Sequence, residues 1–100
     1  MDKHEQAVMR GDAAARILND PVFLGSFTAI RDAYLREWED MPTSESESAR
    51  DIHRRLKCLA DVKTALQAHI TTGKMAQREL SMREKITNSA NRAVRTLTQR

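Results

Sequence analysis

The chain has 100 residues, 40% of them apolar and 31% charged, with a formal net charge of +3. Thirteen of the apolar residues are alanines and only one cysteine is present, so the core is thin and a disulfide framework is excluded. There is no apolar run long enough for a transmembrane helix, and MDKHEQAVMRGD lacks the apolar centre of a signal peptide, so a soluble chain that is not secreted is expected.

Ala, Leu, Arg, Lys, Glu, Gln and Met dominate, and these residues lose little entropy in a helix. Three glycines and two prolines are too few for the turns of a sheet protein. The expected fold is all-α: a helical hairpin or three-helix core over residues 1–73, with a long basic C-terminal helix over 74–100. Helices are expected at about 3–19, 21–41 and 45–72 within that core.

The first segment carries Val8, Ala14 or Ala15, Ile17 and Leu18 at loose helical spacing, and Gly11 weakens it by about 1 kcal/mol relative to alanine. Asp20-Pro21 ends this helix and starts the next: the carboxylate accepts from orphan amides, and proline suits the first helical position. From there Phe23, Phe27, Ile30, Tyr34, Trp38 and Met41 trace one face, opposite Arg31, Asp32, Arg36, Glu39 and Asp40, until Pro42. Within PTSESES, Ser44 with Glu47 and Ser48 with Asp51 both have capping-box spacing. Ile52, Leu56, Leu59, Leu66 and Ile70 then follow an almost heptad rhythm, with Val62 beside the gap at Lys63, and Gly73 fits a left-handed helix end. In the last segment Met75, Met82, Ile86, Ala90, Ala93 and Leu97 form a weak stripe flanked by Leu80 and Val94. A helix with so little to bury is expected to need a partner.

Charge is graded along the chain: −3 over residues 1–40, +1 over 41–73 and +5 over 74–100. That gradient suits head-to-tail association or a basic tail held near polyanion. Lys74, Arg78, Arg83, Lys85, Arg92 and Arg95 are the candidate phosphate contacts. The segment has no aromatic residue for stacking on single strands, and no nucleic-acid motif is present; a solvated face with cations toward a helix C-terminus is the plainer alternative.

Catalysis and metal binding find little support. His4, His53 and His69 lack the spacing that places two ligands on one helix face, and neither His53 nor His69 is positioned to activate Cys58. Glu37, Glu39 and Asp40 belong to a polar face, and Gly73-Lys74 lacks the upstream glycine of a phosphate loop. A non-enzymatic protein without cofactor or metal is expected. Phe27, Tyr34, Trp38, Met82 and Ile86 are the candidate partner-interface residues, the aromatics doubling as core candidates.

The strings ARILNDPVF (Ala15 to Phe23), Tyr34 to Trp38, Arg55 to Leu59 and Ile70 to Lys74 resemble small helical proteins of tailed bacteriophages encoded among head-assembly and DNA-packaging genes. The resemblance covers residues 13–76 and implies a shape rather than a chemistry. It implies a phage structural or assembly protein, a homo-oligomer or a partner of other phage structural proteins. Such a protein sits near portal or packaged DNA, in host cytoplasm or virion and without a membrane. Two alternatives stand beside it: a phage-encoded inhibitor of a host protein acting through the acidic N-terminal face, and a non-specific DNA binder using residues 74–100.

Overall fold

A computed structural model describes residues 1–98; Gln99 and Arg100, the end of the expected basic helix, lie outside the described residues. Three helices account for nearly all of it: α1 (Lys3–Asn19), α2 (Pro21–Glu39) and α3 (Ser46–Thr98). The molecule is a rod with extents of 86 × 25 × 19 Å. Its length is that of α3, since 53 residues rising about 1.5 Å each span roughly 80 Å.

One residue makes both the end of α1 and the start of α2. The backbone N–H of Asp20 donates to Ile17 O at 3.1 Å, closing α1. Its carboxylate accepts from the N–H groups of Val22 (2.8 Å) and Phe23 (3.0 Å), capping α2, and Pro21 supplies the first helical φ. Both helices then run antiparallel to α3. Asp2 meets Arg83, Gly11 meets Gly73, Phe27 meets Lys63, and Glu37 meets Arg55. α1 and α2 therefore lie end on end along α3, and α1 makes the more extensive contact with it.

Gly73 does not end a helix. α3 runs unbroken through it, and no glycine adopts a positive φ. No proline follows, and good helix formers surround it, so one glycine cannot outweigh its neighbours. What Gly73 provides is space. A Cβ there would stand 3.1 Å from Ala7 O and from the Gly11 Cα, and a Cβ on Gly11 would stand 2.9 Å from His69 O. Ala7, Gly11 and Ala14 on α1, with Gly73 and Ala76 on α3, are all buried at this crossing. Large side chains are not what brings these helices together; their absence is. Val8 and Leu18 are half-buried beside the crossing, whereas Ile17 is exposed.

Toward the turn the packing becomes conventional, with Phe27 and Ile52 buried and Leu35, Leu56, Leu59 and Leu66 half-buried. At the gap in the heptad rhythm Lys63, not Val62, faces α2, and its ammonium lies 4.0 Å from the Phe27 ring centroid. The stem is covered while the charge meets the electron-rich ring face. α2 stops at Glu39 rather than at residue 41, with the Asp40 N–H donating to Arg36 O. α3 starts at Ser46, which makes Glu45 its cap position, so neither Ser44 nor Ser48 forms the expected capping box; the Ala49 N–H donates to Glu45 O instead.

The glycines give a paired test. Gly11→Ala gains about 1 kcal/mol of helix propensity but meets unyielding backbone, where overpacking costs about 1–3 kcal/mol. Gly25 has open space around its Cβ position, so Gly25→Ala takes the propensity gain alone. Thermal unfolding at one fixed concentration should show a lower midpoint for Gly11→Ala and a higher one for Gly25→Ala. Equal rises would mean that the crossing does not need glycine.

Candidate functional site

α3 presents three faces along its C-terminal half, set by the roughly 100° turned per residue. Measured from Lys74, the seam toward α1 (Ile70, Gly73, Ala76, Leu80) centres at roughly −100°. Met75, Met82, Ile86, Ala90, Ala93 and Leu97 fall within about 80–160°. Lys74, Arg78, Lys85, Arg92 and Arg95 fall within about 60° of zero. One helix thus carries a packed seam, an apolar stripe broken once by Glu79 at about 140°, and a cation stripe, each on its own side.

The apolar stripe is uncovered. Met82 is 62% and Ile86 64% exposed, and every described residue from Met82 onward is exposed. The cause is length: the Asp2–Arg83 pair marks where α1 begins against α3, and residues 84–98 project about 22 Å beyond it.

The structure divides the six candidate phosphate contacts into five and one. Arg83 points the other way, at about 180° from Lys74, and is engaged by Asp2 Oδ2 at 3.4 Å and Glu79 Oε1 at 3.7 Å. Among the described residues, Lys74, Arg78, Lys85, Arg92 and Arg95 form no ion pair. Position around the helix makes this division, and a count of basic residues does not show it.

The five interface candidates are similarly dispersed. Phe27 is only 8% exposed and is taken up by α3, so it is not a surface residue. Tyr34 is half-buried under the Arg55 guanidinium, 5.9 Å from the ring centroid, and Arg55 also reaches Glu37 at 3.9 Å. Trp38 is 55% exposed and, with Met41, Pro42 and Ala49, lines a groove at the turn rimmed by Glu39 and Glu45. Trp38 lies at the opposite end of the rod from Met82 and Ile86, so the five do not form one patch. Periodicity indicated which helix face each occupied but not where its partner helix stopped.

Cys58 is exposed, and no group of three or more His, Cys, Asp or Glu side chains placed to hold a metal ion occurs among the described residues. None of the described helices is long and apolar enough to cross a membrane.

Asp2 ties the start of α1 to the basic end of α3. The His4 backbone N–H donates to its Oδ1 at 3.0 Å and holds the carboxyl below the usual aspartate value; desolvation acts in the opposite sense, and the His4 and Arg83 charges add to the lowering. A lowered folded-state value stabilises above the unfolded value of 3.8, and that contribution is lost as pH falls through the folded value. Asp2→Asn keeps a good cap and removes the charge. Its unfolding midpoint should lie below wild type near neutral pH and converge with it as the medium is acidified below 3.8. A gap independent of pH would show that the charge contributes nothing. Comparison of the chain with protein-family models, curated proteins and solved structures returns no match.

Proposed function

We propose that this chain is a non-enzymatic assembly protein that self-associates through helical faces, in keeping with its resemblance to small helical proteins of tailed bacteriophages encoded among head-assembly and DNA-packaging genes. The observation that carries the reading is the uncovered stripe of Met75, Met82, Ile86, Ala90, Ala93 and Leu97 on a helix that outruns its own partners. An apolar face left in water on a thin-cored protein is a cost that association removes.

Charge and size favour a second copy as the occupant. Residues 37–47 hold five carboxylates and no basic residue, while residues 85–98 hold three basic residues and no carboxylate. The stripe from Met75 to Leu97 is about 33 Å long and 10–12 Å wide, or roughly 350 Å² per partner. A stable interface takes about 800 Å² per partner, so the stripe alone is too small. Antiparallel pairing supplies the remainder by extending along the rod, and it sets each basic tail beside the acidic turn of the other copy. The two contacts are equivalent by symmetry, so the assembly closes as a dimer.

Light scattering and sedimentation equilibrium at tens of micromolar should give a dimer. Met82→Glu/Ile86→Glu should return a monomer of undiminished helicity, because both side chains are already exposed. A wild-type monomer throughout that range would remove the proposal. Mass spectrometry of purified virions tests the phage assignment separately.

A further inference from the structure

We propose that the stripe of Lys74, Arg78, Lys85, Arg92 and Arg95 is a contact surface for the phosphate backbone of double-stranded nucleic acid. Four features of α3 support this. First, the stripe is selective: the one basic residue of the segment that points away, Arg83, is paired with Asp2 and Glu79, while the five on the stripe have no carboxylate partner among the described residues. Second, both carboxylates of the segment lie off it, Glu79 at about 140° and Glu84 at about −80° from Lys74.

Third, the cations are held on a single unbroken helix and span about 32 Å from Lys74 to Arg95, close to the roughly 34 Å of one duplex turn. A rigid row of charges is matched to a rigid polyanion, whose condensed counterions are released when the phosphates are neutralised. Fourth, residues 74–98 contain no aromatic side chain, so the stacking that holds single strands is missing. Phosphate contacts carry no base identity, so the binding is independent of sequence.

An anionic membrane is the competing polyanion, since an apolar stripe lies on the same helix. Helices that lie in a membrane interface carry large Trp, Phe or Leu side chains opposite a broad basic face. Here the apolar stripe is Met, Ile, Ala and a single Leu; five cations flank one side of it, and the one on the other side, Arg83, is paired with Asp2 and Glu79. The phosphate stripe lies about 115° from the apolar one. In the proposed dimer Lys85, Arg92 and Arg95 also lie beside the acidic turn of the second copy, so nucleic-acid contact is separated from self-association by measuring it on a monomeric variant.

The test is fluorescence anisotropy of the full chain with short DNA duplexes of two unrelated sequences, across a salt series. Five phosphate contacts give a log–log slope of about −4.5, a loss of about 500-fold between about 50 and 200 mM salt, equal for both sequences. Lys85→Gln/Arg92→Gln should flatten the slope to about −2.7, a loss of about 40-fold over the same range. Arg83→Gln should leave the slope at the wild-type value. Circular dichroism confirms that each variant remains helical. Met82→Ser/Ile86→Ser, which removes the large apolar side chains without placing a carboxylate one turn from Arg78 and Lys85, run in parallel, should keep the wild-type slope even as a monomer. The inference is overturned by no binding at low salt, by a slope that Arg83→Gln flattens as much as the double variant does, or by binding to phosphatidylglycerol vesicles with none to the duplex.

Discussion

The architecture depends on how closely α1 approaches α3 at Gly11 and Gly73. An ideal Cβ on either glycine would stand about 3 Å from backbone of the other helix, so this separation exists only because neither residue has a side chain. Ala7, Ala14 and Ala76 extend the same small surface on both sides. Close packing of small residues gains dispersion contacts along two backbones while burying few large groups. This is how a chain with 13 alanines and four aromatics holds two helices side by side. It also fixes the register, because sliding α1 by one turn would set Gly11 against Ile70 or Ala76, both of which carry a Cβ, in place of Gly73.

With that register set, the rest of the rod follows. Asp20 turns the chain from α1 into α2 with little offset, so α2 continues along the same side of α3 toward the turn. The cover ends near Arg83, where Asp2 caps α1 and pairs across to α3. Because α1 begins there, the final residues of α3 have no intramolecular partner. The protruding helix is a consequence of unequal lengths: α1 and α2 together hold 36 residues and α3 holds 53.

Sequence patterning found the second helix, because Phe23 to Met41 is large, apolar and regularly spaced, but not its packed face, since Ile30 and Trp38 are exposed and Leu35 is half-buried. It read the junction of α1 and α2 from Asp20 and Pro21, whose effects are local and almost independent of context, whereas Pro42 placed the end of α2 two residues too late. It misread Gly73, since glycine serves both as a helix terminator and as a point of close approach, and local sequence does not separate the two. The spacing of Ala7, Gly11 and Ala14 at four and three residues was the available signal, although small residues contribute little to any apolar periodicity. Lys63 was hidden for a related reason. A lysine breaks a heptad pattern on paper, yet its methylene stem fills the seam and its ammonium rests on Phe27.

What the sequence alone determined was the helical class, the breakpoints set by proline and aspartate, the exclusion of a disulfide framework, and the charge gradient from an acidic front to a basic tail. Those properties depend on composition and on interactions within a few residues. Tertiary structure decided that the third and fourth segments are one helix, that Arg83 is engaged while its five neighbours are not, and that Met82 and Ile86 are uncovered while Phe27 is buried. These depend on where α1 stops along α3, and that point is fixed by two glycines 62 positions apart in the chain. The 40% apolar content counted at the outset is accordingly divided between a core held together by small residues and a stripe left open at one end of the rod.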